Sequence, residues 1–237
     1  MEPLAPTQEF LDACSSFGIE CEPDELTGLG VFLARLLEAN NRVNLTAIRD
    51  PDKAWMRHIF DALTILSVLG ELPGGSAVAD VGTGGGVPAI PLAITRPDWN
   101  VTCIESTGKK CEFLRQIAGE MELANVRVVQ DRAEAIGRDP GFRESFDAVL
   151  ARAVGRMRIL AEYTIPLAKP DGLIVLTKGE RAREEIEEAH QALYLLHADV
   201  GATVSTPTGT LVVLHKTRKT PAKYPRAIGE PTRDPLG

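Results

Sequence analysis

The chain of 237 residues lacks most of the features that would fix a function at a glance. Its four cysteines, Cys14, Cys21, Cys103 and Cys111, form no Cys-x-x-Cys pair and have no histidine cluster beside them, so neither a zinc site nor a disulfide framework is indicated. No Gly-Lys-Ser/Thr follows a glycine run, which excludes a P-loop. No apolar run approaches the roughly 20 residues that a membrane span requires. The start has no basic segment leading into an apolar one, and the cytoplasm is the expected location. Acidic residues are missing altogether between Val200 and Gly229, although the net charge of the whole chain is -7. That stretch carries Lys216, Arg218, Lys219, Lys223 and Arg226. It reads either as a local footprint for phosphates or as a solvated tail, while the acidic remainder argues against broad affinity for nucleic acid.

What is present centres on Val78 to Leu92, VADVGTGGGVPAIPL. Val78 and Ala79 end an apolar strand, Asp80 stands at its carboxyl edge, and Gly82, Gly84, Gly85 and Gly86 precede a new apolar segment. Such a turn lets a ligand approach backbone N–H groups with no Cβ in the way. Glycine turns also serve as plain connections. Asp80, and Glu105 at the end of a second apolar run, point instead to a site for an adenosine ribose. A nicotinamide dinucleotide oxidoreductase shares this pattern, but the chain offers no substrate domain with an evident catalytic His or Lys.

The 44% hydrophobic content suits one core with an extension. Residues 1–72 read as a helical extension, with helices around Phe10 and Phe17 and from Pro23 to about Asn40. Asp50-Pro51 reads as the cap and first turn of a further helix bearing Trp55, Ile59, Leu63 and Leu66 on one face. His58 and Asp61 lie three apart beside that face, and anchoring of the extension is the simpler of their two readings. Residues 73–216 alternate strands and helices. Strands are expected at Asn100–Glu105, Val126–Val129, Phe146–Leu150 and Leu173–Leu176, and helices at Lys109–Met121 and Glu180–Leu196. This is an α/β, Rossmann-like pattern with a mostly parallel sheet. Strands Asp199–Ser205 and Leu211–Leu214 would form a hairpin that makes the last strand antiparallel, and residues 217–237 follow as a basic tail packing on or beside the domain. Ligands on such a sheet bind beyond the carboxyl ends of the strands. That rule gathers Gly82 to Val87, Glu105-Ser106-Thr107, Ala133-Glu134 and Ala151-Arg152-Ala153 on one rim.

These residues, together with GKKCEFL, the RAE of Arg132 to Glu134, the TKG of Thr177 to Gly179, NLTAI, RHIFDAL and YPRAIGEPTRDPL, resemble the methyltransferase G family of bacterial small-subunit ribosomal RNA, also called glucose-inhibited division protein B. The resemblance implies a class I S-adenosylmethionine-dependent methyltransferase acting on N7 of one guanine in 16S rRNA, within a small ribosomal subunit or its precursor. It implies cofactor contacts from Gly82, Gly84, Val87, Glu105, Ser106, Thr107, Ala133, Glu134 and Arg152, with Arg152 at the reacting end. His58, Asp61 and Lys178 would help shape the acceptor pocket, and Lys109, Lys110, Arg115, Lys216 and Lys219 would meet RNA phosphates. Ala39, Ala89 and Tyr163 depart from the family pattern, none of them at an expected cofactor contact. Guanine N7 has a lone pair in the ring plane and no proton to lose, so no general base is required. In keeping with this, the fourth strand ends in Ala-Arg-Ala-Val, unlike the Asn/Asp-Pro-Pro-Tyr/Phe of amino-group methyltransferases, and no Pro-Cys nucleophile is present. A noncatalytic RNA-binding assembly factor that kept an adenosine site is the other reading.

Overall fold

Strands that are buried on both faces read as nearly unbroken apolar runs, and this is why the central strands were visible in the sequence. The computed structural model describes residues 2–152 and 155–237. Among these residues the parallel strands are β1 (Ala77–Val81), β2 (Asn100–Glu105), β3 (Val126–Gln130), β4 (Phe146–Arg152) and β5 (Ala168–Lys178). An antiparallel pair, β6 (Ala198–Thr206) and β7 (Gly209–Lys216), completes a sheet ordered β3-β2-β1-β4-β5-β7-β6. The order reverses between β1 and β4, which sets the crevice beyond the ends of those strands.

Successive side chains of a strand enter opposite layers. Ala148 and Leu150 join one core, Val149 and Ala151 the other. The first core is roofed by α1 (Gln8–Phe17), α2 (Pro23–Val43), α3 (Pro51–Ala54), a π-helical turn (Trp55–Phe60), α4 (Asp61–Leu63) and α5 (Leu66–Leu69), then by α6 (Ala89–Thr95) and α7 (Gly108–Glu120). Phe32, Leu36, Trp55 and Phe60 therefore share one apolar cluster with Leu92, Leu114 and Leu150. The second core lies under α8 (Ala133–Ile136), α9 (Met157–Thr164) and α10 (Ala182–Leu196), and Tyr224 is buried in it. A short α11 (Glu230–Arg233) ends the chain.

Several boundaries differ from the sequence reading. The helix expected to stop near Asn40 runs to Val43, because the Asn40 side chain satisfies the turn beyond it: its Oδ1 accepts from the Leu45 and Thr46 N–H groups at 2.7 and 2.9 Å. Asp50 caps α3 as expected, accepting from Asp52 and Lys53 at 2.9 and 3.1 Å. The long helix predicted after it is broken by the π turn at Trp55–Phe60. Strand β4 continues through Arg152, since β5 extends to Lys178 and Arg152 pairs in register with Thr177. Ala153, placed on the rim with Arg152, lies outside the described residues.

Because β7 runs against β5, its first residues lie on the rim where the parallel strands end, with Thr210 opposite Lys178. Its last residue, Lys216, lies at the opposite rim beside the starts of β4 and β5. The chain from Thr217 onward crosses back to the first rim.

Candidate functional site

The glycine turn after β1 is built by its backbone. Gly82, Gly84 and Gly86 have φ of 71°, 60° and 89°, a region costly for any residue with a Cβ. Gly85 is needed for space, since a Cβ there would stand 2.7 Å from Cδ1 of Leu36 on α2. Glu105 ties this turn to the next one. Its Oε2 accepts from the Gly84 N–H at 3.1 Å and its Oε1 from the Thr107 N–H at 2.8 Å.

Beside this turn lies a cavity of about 480 Å³ beyond the ends of β1, β2 and β3. Gly82, Glu105, Ser106, Ala133 and Glu134, which the sequence gathers on one rim, line it. Gly84, Val87, Thr107 and Arg152 do not lie on its wall. Gly84 and Thr107 instead hold the Glu105 carboxylate, and Val87 belongs to the first core. The wall also contains Asp131, Ile159, Tyr163 and Thr232, which the sequence reading missed. Asp131 could have been found by the rule that selected Glu105, because it directly follows β3. Tyr163 and Thr232 carry no such signal; in the sequence Tyr163 is only a departure from the family pattern.

Asp80 is the electrostatic centre of the rim. Its side chain is 1% exposed, and neither carboxylate oxygen has a partner in hydrogen-bond geometry. Burial pushes its pKa up to about 6, with the nearby Thr83 hydroxyl and Ala89 N–H pulling it only partly back. A carboxylate ionised and unpaired in such a place is costly unless an opposite charge offsets it.

Next to it stands a second polar group. Arg152 Nε meets Asp61 Oδ2 at 2.6 Å, and its Nη2 donates to the carbonyl of Arg57. Thr208, in the β6–β7 turn, donates to Asp61 Oδ1 at 2.6 Å, and Arg57 returns a bond to the Thr208 carbonyl at 2.9 Å. The π turn and the start of α4 thus join the helical roof to the end of β4 and the β6–β7 turn, so Asp61 does anchor the extension. His58 is also buried, with Nε2 2.9 Å from the Thr46 hydroxyl and Nδ1 3.2 Å from the Arg57 carbonyl. Desolvation first, then the Arg152 charge, pushes its pKa down to about 4, so the ring is neutral near pH 7.

Three expectations for lysines need correction or narrowing. Lys216 is fully buried, bonded to Glu144 at 2.9 Å and to the Ala168 carbonyl at 2.7 Å, and it meets no RNA phosphate. Lys219 is exposed but sits at the far rim, its carbonyl bonded to His197 at the end of α10. Lys178 is 8% exposed; it spans Glu185 and the Gly155 carbonyl, both at 2.7 Å, and so holds Gly155 without presenting a free charge. Lys109 and Arg115 on α7 are exposed, and Lys110 is half-buried.

Comparison with known proteins decides which family this rim belongs to. Residues 26–211 match the family model GidB, described as rRNA small subunit methyltransferase G. The chain belongs to the rRNA small subunit methyltransferase G family. It is 44% identical over 223 residues to "Ribosomal RNA small subunit methyltransferase G" of Sorangium cellulosum, covering 94% of this chain and 93% of that one. A protein of the same name from Lactobacillus delbrueckii subsp. bulgaricus is 39% identical over 234 residues, covering 96% and 98%. The fold is shared more widely: a putative S-adenosyl-L-methionine-dependent methyltransferase from Methanococcus maripaludis superposes with a TM-score of 0.58 at 13% identity, over 85% of this chain and 97% of that one. The GidB match holds the glycine turn, Asp61, Asp80, Glu105, Glu134 and Arg152, whereas Thr232 lies beyond it.

Proposed function

We propose that the chain transfers a methyl group from S-adenosylmethionine to N7 of one guanine in 16S rRNA, in the small ribosomal subunit or its precursor. Membership of the methyltransferase G family supports the reaction and the acceptor. The observation in this molecule that carries the cofactor is Asp80, a fully buried carboxylate without a partner at the edge of a glycine turn. The residues present fit that cofactor, which is cationic at its methionine end and neutral at its adenosine end. Asp80, buried just behind the wall residues Val81 and Gly82, would offset the positive charge, Glu105 and Ser106 would meet the ribose hydroxyls, and Asp131, Ala133 and Glu134 would flank the adenine. When bound, S-adenosylmethionine supplies an electrophilic methyl carbon on a positively charged sulfur.

The rest falls to positioning. Guanine N7 needs no base, and the neutral His58 is already committed to Thr46 and Arg57. Arg152, held by Asp61 at the end of β4, orients the guanine or its phosphate. Rate then comes from holding nucleophile and methyl carbon in line, an effect that effective molarities put at up to about 10 kcal/mol. Functionally the chain divides at residues 72 and 216 into helical roof, catalytic sheet and C-terminal arm. Among the described residues no helix is long and apolar enough to cross a membrane. An rRNA acceptor supports assigning the reaction to the cytoplasm.

The test is transfer of labelled methyl to small subunits and to protein-free 16S rRNA from cells lacking the modification, with the product base mapped. One N7-methylguanine is expected. Arg152→Ala is expected to lower transfer at least 100-fold while cofactor affinity falls less than 10-fold. Cofactor binding without transfer to either substrate would leave the noncatalytic assembly factor, and saturation by a nicotinamide dinucleotide would restore the oxidoreductase.

A further inference from the structure

The C-terminal segment is not a solvated basic tail. Arg226 donates to Glu162, which is fully buried, through its backbone N–H at 2.6 Å and its guanidinium at 2.7–3.1 Å. Arg143 and Arg138 hold the carbonyls of Tyr224 and Pro225, each at 2.7 Å. The Gly229 N–H donates to Glu134 Oε1 at 2.8 Å, at a φ of 81° that favours glycine. Beyond this clip, Thr232 lines the cavity and its hydroxyl lies 2.9 Å from that of Tyr163, which also lines it and is 7% exposed. One wall of the cavity is therefore supplied by residues about 70 positions apart in the chain.

We propose that residues 226–234 are a working part of the cofactor site: the Tyr163–Thr232 pair positions the adenosine end, and docking of the arm is linked to occupancy of the cavity. The inference rests on the cofactor reading above. It follows from the position of Glu134, a residue of the cavity wall whose Oε1 accepts from the Gly229 N–H of the arm. A ligand that contacts this wall binds only molecules whose arm is docked, and by reciprocity it holds the arm down. With Ile159, the Tyr163 ring adds apolar surface suited to a flat base, while Asp131 supplies an acceptor for an exocyclic amine.

Hydrogen exchange of the full chain with and without S-adenosylhomocysteine tests this. Exchange at residues 226–234 is expected to slow at least 5-fold together with that at 82–106. Protection of 82–106 without protection of 226–234 overturns the inference and leaves the cofactor reading intact. No protection at 82–106 overturns both. Tyr163→Phe removes a hydroxyl and Thr232→Val exchanges one for a methyl of similar size, so the fold is retained; each is expected to weaken S-adenosylhomocysteine 3- to 10-fold, and the double variant no more than the weaker-binding single one. Unchanged affinity in both variants overturns the positioning role of the pair.

Discussion

At the scale of the residue, Asp80 concentrates the conflict between stability and function. Its pKa rises from the ordinary 3.8 to about 6 in the folded chain. Between those values the folded state binds the proton more tightly than the unfolded one, so the stability it contributes is full below about pH 4 and is lost as pH rises through 6. Above that, the ionised group costs up to about 3 kcal/mol, at 1.36 kcal/mol per pKa unit. Asp80→Asn is therefore expected to raise the unfolding midpoint of the cofactor-free protein at pH 7.5 while weakening the cofactor at least 10-fold. Thermal scans from pH 4 to 8 check the first part, where the gap between variant and parent should widen with pH. Calorimetric titration checks the second. A variant less stable at pH 7.5 and equally good at binding would remove Asp80 from its assigned place.

At the scale of the element, the final hairpin decides what each lysine does. The antiparallel direction of β7 carries Lys216 away from the ligand rim and buries it against Glu144 and Ala168. Burial lowers its pKa and the Glu144 carboxylate resists that. Breaking one half of such a pair costs about 3–5 kcal/mol, because the other charge stays behind in poor solvent. Lys216→Ala is expected to lose that much in urea unfolding, with Glu144→Gln partly restoring the double variant, and the salt dependence of RNA binding should be unchanged. The π turn is the other element with a local consequence. It brings the Arg57 carbonyl and Asp61 to the same guanidinium, that of Arg152, a coincidence that spacing in an ordinary helix did not suggest.

At the scale of the whole molecule, an acidic protein must meet RNA through a restricted face. Arg132 and Arg156 are exposed on the cavity wall, and Lys109 is exposed at the start of α7, on the same rim. Arg218 and Lys219 are exposed at the opposite rim. Each phosphate contact contributes roughly 0.7–0.9 to the slope of log affinity against log salt. Lys109→Ala with Arg156→Ala is expected to reduce that slope by roughly 1.5, and Arg218→Ala with Lys219→Ala to leave it unchanged. The reverse pattern, measured by filter binding to small subunits at several salt concentrations, would put the RNA on the other rim.

The sequence by itself determined the layered α/β sheet, the glycine turn, and the acidic residues at strand ends, because these are local: periodic burial, positive φ and the carboxyl edge of a strand are written in neighbouring residues. Glu105, Ser106, Ala133 and Glu134 were legible for that reason. Which charges are free was not. Lys216 and Arg226 look like an unopposed basic tail in the chain, yet their partners Glu144 and Glu162 lie 72 and 64 residues away. The Tyr163–Thr232 wall of the cavity was decided in the same way, since only the return of the arm across the sheet brings Thr232 to Tyr163. Local pattern sets backbone and layer; pairing between distant buried groups is chosen by tertiary packing, where an unmatched charge costs more than any local preference supplies.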